Sequence, residues 1–235
     1  WRAFQIAFLL MSLPGLWDAQ DPDREIADLI WFPTGGGKTE AYLGATAFYL
    51  LSRRLQAPHN DGTGVLMRYT LRLLTSQQFQ RAAGLICAME KIRLREKNAG
   101  NQLILGSTPF RIGIWVGGST TPNTHSQSID AFNAAQRVGS ESYQHVMLRC
   151  PWCASEMGPK RNYQKQGKKF IINGLRATGT GEGRKTLLHC PDPDCEYHGE
   201  LPVEVVDQGV YENPPSLIIG TVDKFAMLAW KHEGR

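Results

Sequence analysis

The sequence predicts an α/β fold in which a parallel sheet is flanked by helices and interrupted by a cysteine-rich insertion. Three apolar segments, each leading into a helical pattern, predict strands of one sheet. These strand segments are 65–70, 111–118 and 216–220. A further apolar run, 27–32, predicts another strand because it precedes a glycine-rich turn. Helical spacing of apolar residues predicts a first helix over 1–13, which ends at Pro14-Gly15.

The composition is that of a globular chain with a weak preference for polyanions. Its 235 residues suit one or two domains, and its hydrophobic content of 42% is enough for a packed core. The net charge of +4 mildly favours a polyanionic partner. We expect no membrane association, because no apolar run approaches a membrane span and no signal-peptide pattern is present. The chain stops directly after a helical pattern, so we expect it to be an excerpt from a larger protein.

Residues 33–40, Pro-Thr-Gly-Gly-Gly-Lys-Thr-Glu, have the composition of a phosphate-binding turn before a helix that extends to about Leu55. Glycines let several backbone N–H groups face one anion, and the helix N-terminus adds a partial positive charge. The residues expected to bind the nucleotide are Thr34, Gly35, Gly36, Gly37, Lys38, Thr39 and Glu40. Lys38 would contact the β/γ-phosphates and Thr39 would ligate Mg²⁺, which makes both catalytic candidates. A glycine turn that only caps a helix is the alternative.

The turn departs from the general phosphate-binding pattern, which has a glycine where this sequence has Phe32. Pro-Thr-Gly-x-Gly-Lys-Thr-Glu resembles motif I of superfamily-2 helicases and translocases, where that glycine is usually replaced. The resemblance implies a RecA-like P-loop ATPase with ATP and Mg²⁺ as cofactors. Upstream, Arg-Ala-Phe-Gln at 2–5 is similar to the family's adenine-recognition element, which implies that the Gln5 amide contacts adenine. An ordinary exposed helical glutamine is the alternative.

Three other segments resemble elements with which this superfamily contacts nucleic acid. Segment 70–77 matches motif Ia, although Thr70 replaces the usual proline, and the Gly-Gly turn after strand 111–118 resembles motif Ib. Thr-Val-Asp-Lys at 221–224 resembles the Thr-Pro-x-Lys element. The contacts implied are Thr70, Arg72, Gln77, Gly117, Gly118, Thr221 and Lys224. The alternatives are a solvated arginine at the start of a helix and a plain turn.

Two cysteine pairs predict a zinc site. Cys150 and Cys153 form a C-x2-C pair, and Cys190 and Cys195 form a C-x4-C pair. Two such pairs suit a closed tetrahedral site, in which four soft thiolates displace all water from a structural Zn²⁺. Five cysteines are not a disulfide framework for a chain of this length, so we expect a reducing cytoplasm. Four unpaired thiols are the alternative.

These patterns divide the chain into a RecA-like domain, 1–148 and 207–235, and a zinc-ribbon-like insertion, 149–206. Asp223 is not a Walker B carboxylate, because Gly220 and Thr221 separate it from the apolar run and Lys224 stands where the catalytic glutamate belongs. The domain is therefore expected to be incomplete and to end before Walker B. Without that pair, Mg²⁺ loses an anchor and the attacking water loses its base. We expect the isolated chain to be poorly stable and nearly inactive.

Taken together, these motifs resemble the helicase-like subunit of the DISARM anti-phage defence system. The resemblance implies a bacterial, cytoplasmic, ATP-dependent helicase or translocase that acts on nucleic acid, with DNA as the expected form. It also implies a protein partner subunit in a defence complex. Two alternatives stay open, a nucleotide-gated switch without motor activity and a zinc-dependent nucleic-acid-binding module with a vestigial phosphate-binding turn.

Overall fold

A computed structural model of the chain describes most of its length. The described residues are 1–31, 36–69, 72–100, 104–118, 120–138, 146–161 and 170–226, with the backbone alone at 72–76. These residues divide between two compact units. Unit 1 comprises Trp1–Val65 and Ala88–Pro109, and unit 2 comprises Leu66–Cys87 and Phe110–Arg235.

Unit 1 is built on two packed helices, α1 (Ala3–Trp17) and α2 (Lys38–Gln56). Two aromatic pairs join them. The ring of Phe8 meets Tyr42 edge to face at 5.8 Å, and Trp17 lies 6.4 Å from Phe48. A short 3₁₀ helix, Pro22–Glu25, follows α1. Within the described part of the chain, no helix combines the length and the apolar character that crossing a membrane requires.

The predicted end of the first helix at Pro14-Gly15 is wrong, because α1 continues through both residues to Trp17. Proline lacks an N–H group and so removes one hydrogen bond, here to the carbonyl of Leu10. Leu10 is 63% exposed, so water is close to the carbonyl that has lost its helical donor. The Pro14 carbonyl still accepts from the Asp18 N–H at 2.9 Å and closes the last turn.

The strand predicted over 27–32 is not formed in the described residues. Residues 26–31 have no regular secondary structure, and Phe32 lies outside the described residues. Leu29 is 84% exposed and Trp31 is 88% exposed. A strand requires a neighbouring strand for its backbone N–H and C=O groups, and none of the described strands pairs with this segment. The apolar run predicted a strand, but an apolar run does not show whether a neighbouring strand is available to pair with it.

Unit 2 contains a four-stranded sheet. Its strands are β1 (Val65–Tyr69), β2 (Ile112–Trp115), β7 (Val203–Glu204) and β8 (Leu217–Thr221), in the order β1–β8–β2–β7. β2 is parallel to both neighbours, with Ile112 opposite Leu217 on one side and Val203 on the other. Every residue of β2 and β8 is buried, as in sheets that are covered on both faces. The α/β class and the three predicted strands are confirmed.

Short helices cover one end of this sheet. They are α5 (Asp207–Glu212) and α6 (Val222–Ala226). Trp115 at the end of β2 packs edge to face against Tyr211 of α5 at 5.8 Å and Phe225 of α6 at 5.6 Å. A buried aromatic cluster therefore fixes α5 and α6 at the carboxyl ends of the two central strands.

Between β2 and β7 the chain forms a helix and two antiparallel hairpins. They are α4 (His125–Val138), β3 (Gly158–Arg161) with β4 (Phe170–Asn173), and β5 (Leu175–Thr178) with β6 (Lys185–Leu188). Phe132 and Ala135 of α4 pack against Ile172 and Leu175 in a second apolar core. The strand β7, within the range assigned by sequence to the insertion, pairs with β2 in the main sheet.

Two buried arginines hold the loops of unit 1. Arg54 of α2 donates to two carbonyls of the loop 104–109, at 3.1 and 3.2 Å. The other arginine, Arg93, lies on α3 (Arg72–Asn98) and donates to two further carbonyls of that loop. It also forms a two-bond ion pair with the buried Glu90, at 2.6 and 2.8 Å. Each charge is compensated, so burial does not leave a lone ion.

We expect Arg93→Met to lower the free energy of unfolding of the chain by about 3–5 kcal/mol, because Glu90 would stay buried without its partner. Urea unfolding followed by circular dichroism measures this change. Arg95 is exposed on the same helix, so Arg95→Met is the matched control and should change stability by less than about 0.5 kcal/mol. Equal losses in the two variants would contradict the role of the buried pair.

Candidate functional site

The described part of the glycine-rich turn, Gly36 and Gly37, leads directly into α2 in unit 1. Gly37 precedes the first helical residue with φ +89° and ψ 27°, a left-handed conformation that glycine adopts without strain. Among the described residues, no side chain caps the start of this helix. A helix N-terminus of this kind suits an anion, because its N–H groups and its dipole point the same way.

The described candidates for nucleotide binding lie together at this helix start. They are Gly36, Gly37, Lys38, Thr39 and Glu40, all half-buried. Thr34 and Gly35 lie outside the described residues. Roles for these residues at ATP and Mg²⁺ stay predictions.

The first residues of α1 hold the backbone of the turn. The Gln5 Nε2 donates to the Gly37 carbonyl at 2.7 Å, and the Arg2 Nη1 donates to the Gly36 carbonyl at 3.1 Å. Gln5 is buried, and its Oε1 accepts from the Arg2 N–H at 2.7 Å. Any side chain at Gly37 would crowd this contact, because a Cβ there would lie 2.7 Å from the Gln5 Nε2. In this arrangement Gln5 positions the turn, and its predicted contact with adenine stays a prediction.

The segment that resembles motif Ia lies at the start of α3. The helix begins at Arg72, in agreement with a junction between a strand and a helix at this point. Gln77 is exposed on the helix, whereas Thr70 lies outside the described residues. The structure therefore places Arg72 and Gln77 within the first two turns of one helix.

The other candidates for nucleic-acid binding meet at the carboxyl ends of β2 and β8. A Cβ on Gly117, which has φ +89°, would lie 3.6 Å from the Lys224 Cε. The Lys224 Nζ donates to the Asp207 Oδ2 at 2.7 Å and lies 5.8 Å from the centre of a Trp115 ring. The Lys224 side chain is 18% exposed, and Asp207 is buried. The lysine is thus held in place by a carboxylate.

The remaining two candidates, Thr221 and Gly118, have little free space around them. Thr221 is buried, and its Oγ1 has no hydrogen-bond partner among the described residues. A Cβ on Gly118 would lie 2.8 Å from the Asn123 Nδ2. A phosphate can reach the Thr221 hydroxyl only if the junction between β8 and α6 opens, whereas Lys224 already reaches the surface.

Sequence reasoning missed Asp207 and Trp115, the residues that surround the Lys224 ammonium. Nothing in the local pattern marks them, because Asp207 is a single carboxylate after an apolar run and Trp115 belongs to a buried strand. Their role depends on β2 and β8 being neighbours, which brings residues distant in sequence to one sheet edge.

The four cysteines predicted to bind zinc converge in unit 2. We call them the cysteine cluster, and their sulfur atoms all lie within 4.8 Å of one another. The Sγ of Cys150 is 4.0 Å from that of Cys195, and the Sγ of Cys153 is 3.4 Å from that of Cys190. Four sulfurs bound tetrahedrally at about 2.3 Å from Zn²⁺ lie about 3.8 Å apart. No disulfide joins these four residues, so the cluster can hold a zinc ion.

Backbone turns shape each half of the cluster. Ala154 has a left-handed φ of +64°, and its N–H donates to the Cys150 carbonyl at 3.0 Å. The Cys150 N–H donates to the Ser155 carbonyl at 2.9 Å, which completes a tight knuckle. In the second half, the Cys190 N–H donates to the Tyr197 carbonyl at 2.8 Å. These bonds hold the sulfurs on one side of each turn.

The thiols of the cluster differ in acidity. The Ser155 hydroxyl lies 3.1 Å from the Cys153 sulfur and lowers the pKa of that thiol to about 6. Burial instead raises the pKa of Cys190 and of Cys195 above the usual range. Cys153 is therefore a thiolate at neutral pH more readily than Cys190 or Cys195. A metal ion that recruits Cys190 and Cys195 has to displace their protons.

Comparison with known proteins identifies a relative that matches nearly the whole chain. No family model matches the chain. DISARM protein DrmA of Bacillus paralicheniformis (strain ATCC 9945a / NCIMB 11709 / CD-2) is 38% identical over 245 residues, which cover 98% of this chain and 20% of that protein. The chain thus spans about a fifth of the length of the curated relative that it matches. The resemblance to the DISARM subunit that the motifs indicated is confirmed, and it extends over nearly the whole chain.

Cys190→Ser should reduce the zinc content of the purified protein from about one ion per chain to almost none, because a structural site needs all four ligands. Atomic emission spectroscopy after gel filtration measures the content. Cys87 is buried on α3 and lies outside the cluster, so Cys87→Ala is the matched control and should retain its zinc. Full zinc content in Cys190→Ser would rule out the four-sulfur site.

Proposed function

We propose that this chain, a relative of one segment of DISARM protein DrmA, is the first part of an ATP-dependent motor that acts on nucleic acid in bacterial anti-phage defence. The observation that carries the proposal is the glycine-rich turn at the start of α2, where the left-handed Gly37 leads into Lys38 and Thr39. The similarity to DrmA supports the defence role. The motor is a RecA-like ATPase domain, to which residues 1–148 and 207–235 contribute.

The chain's own residues would bind the nucleotide at the turn. Lys38 contacts the β/γ-phosphates and Thr39 ligates Mg²⁺, while backbone N–H groups at the start of α2 face the phosphates. Hydrolysis of the bound ATP supplies the free energy for movement. The bonds from Gln5 and Arg2 occupy the Gly36 and Gly37 carbonyls and hold this backbone in place. The turn is therefore partly organised before a nucleotide arrives.

The nucleic-acid partner, with DNA as the expected form, would lie against the carboxyl ends of β2 and β8. Lys224 contacts a backbone phosphate, and the neighbouring Gly117 and Gly118 allow close approach of the backbone. Arg72 and Gln77 on α3 supply further contacts. Such contacts position the duplex or strand without reading its sequence.

Zinc is a structural cofactor in this proposal. The cysteine cluster offers four sulfurs, so no position is open for substrate. We assign the zinc-ribbon-like insertion to 149–206, although β7 within that range pairs with β2 of the main sheet. A protein partner is part of the proposal, because DrmA is by its name a component of the DISARM system. The cytoplasm is the proposed location, since the chain carries five cysteines without a disulfide framework.

Lys38→Ala should abolish DNA-stimulated ATP hydrolysis by the chain joined to its native continuation, with turnover falling at least about 100-fold. The reason is that Lys38 is the cation expected to stabilise the charge that develops on the transferred phosphoryl group. Phosphate release with and without single- and double-stranded DNA measures the effect.

The matched control is Lys97→Ala, since Lys97 is exposed near the end of α3 and should be dispensable. If the wild type shows no ATP turnover but binds a partner in a nucleotide-dependent way, a nucleotide-gated switch would be favoured. DNA binding that ignores ATP and Lys38→Ala but is lost on chelation of zinc would favour a zinc-dependent binding module. Undiminished ATP turnover in Lys38→Ala would contradict the proposal.

Loss of the Lys224 charge should weaken DNA binding. Because Lys224→Gln alone would leave Asp207 buried and unpaired, the informative variant is the double substitution Lys224→Gln with Asp207→Asn. The slope of log K against log salt concentration is negative for DNA binding. We expect its magnitude to be smaller in the double variant than in the wild type by about 0.7–0.9, the contribution of one phosphate contact. Fluorescence anisotropy over a salt series gives the slope.

Asp207→Asn alone retains the lysine charge and is the control, for which the slope should not fall. The double substitution leaves the net charge unchanged, and Lys185→Gln, at an exposed lysine of β6, controls for the loss of a lysine elsewhere on the surface. A slope unchanged in the double variant would remove Lys224 from the interface.

A further inference from the structure

We propose that Tyr197 is a positioning residue that fastens the cysteine cluster to the first part of α3, so that zinc fixes the helix that begins at Arg72. Tyr197 was not among the candidate site residues, and the similarity to DrmA gives it no role. The consequence for nucleic acid rests on the function proposed above, because Arg72 and Gln77 lie on this helix. The fastening itself stands on contacts within unit 2.

Tyr197 joins the helix to both cysteine pairs through its side chain and its backbone. Its hydroxyl donates to the Cys87 carbonyl of α3 at 2.6 Å, and the side chain is buried. Its ring meets Trp152, which lies between the first two cysteines, edge to face at 5.7 Å. Its backbone carbonyl accepts from the Cys190 N–H in the second pair. A change in the distance between the two cysteine pairs would therefore disturb the contacts of Tyr197.

Two other contacts bring the first pair against the same side of α3. The Gln80 Nε2 donates to the Arg149 carbonyl at 2.9 Å. A Cβ on Gly84 would lie 3.3 Å from the Pro151 carbonyl oxygen, so the helix and the turn approach closely there. Gln80, Gly84 and Cys87 are spaced by four and three residues, which places them on one face of a helix. We call these three residues the contact face of α3.

The three groups that contact α3 are the Arg149 carbonyl, the Pro151 carbonyl and the Tyr197 hydroxyl. They belong to segments whose positions depend on the sulfurs. Arg149 and Pro151 flank Cys150, and Tyr197 follows Cys195 by two residues. A bound Zn²⁺ ties the two pairs together, and structural zinc contributes directly to the folding of the segments that it joins. Without the ion, the two turns can separate, and the contact face of α3 loses its partners as a group.

The experiment compares amide hydrogen exchange over residues 77–87 in the zinc-loaded protein, carried with its native continuation, and in Tyr197→Phe. The substitution removes only the hydroxyl, so the ring still packs and the zinc content should be unchanged. Loss of a hydrogen bond to a buried carbonyl should speed exchange in this segment by about three- to tenfold. Tyr49→Phe, which removes a hydroxyl from α2 in unit 1, is the matched control and should leave exchange over 77–87 unchanged.

Cys190→Ser is the second variant, and it should raise exchange over 77–87 at least as much as Tyr197→Phe while zinc is lost. Unchanged exchange in both variants would overturn the fastening. DNA affinity, measured on the same samples, should fall in both, whereas binding of a fluorescent ATP analogue should not. Raised exchange with unaltered DNA affinity would leave the fastening in place and overturn the nucleic-acid role proposed for α3, so the two ideas fail separately.

Discussion

The parallel pairing of β2 with β8 is the contact on which unit 2 depends. Ile112 to Trp115 lie opposite Leu217 to Gly220, and every residue of both strands is buried. The chain leaves the sheet after β2, returns to it at β7 on one side of β2, and forms β8 on the other side only after residue 216. Closing so long a loop costs conformational entropy, which grows only slowly with length. The intervening segment also reduces the cost by folding upon itself in two hairpins and a cluster of four sulfurs.

The candidate sites divide between the two compact units. Unit 1 holds the glycine-rich turn and secures it with bonds from α1. Unit 2 holds the cysteine cluster and the edge where Gly117 and Lys224 meet. In each unit a buried side chain does part of the securing, Gln5 in unit 1 and Asp207 in unit 2. The groups proposed to meet a ligand are glycines, a helix start or a partly exposed lysine. A fixed backbone around an accessible charge is the arrangement that anion recognition favours.

The sequence predicted the features whose information is local. The strands at 112–115 and 217–221 follow from continuous apolar runs, and the cysteine cluster follows from spacing that metal geometry imposes. Features that need a distant partner escaped prediction. The segment 27–31 looks like a strand but has no neighbour among the described strands. Asp207 and Tyr197 look ordinary in sequence, and only the fold brings them to Lys224 and Cys87.

The two bonds of Gln5 have a consequence for selectivity among nucleotides. Its amide already donates to the Gly37 carbonyl and accepts from the Arg2 N–H. An amide has two N–H donors and two acceptor lone pairs, so one of each is left over after these two bonds. On the function proposed above, a base that presents one donor and one acceptor could use this remaining pair while the bond to Gly37 stays in place. Gln5 would then join recognition of the base to the position of the turn, because one side chain would contact both.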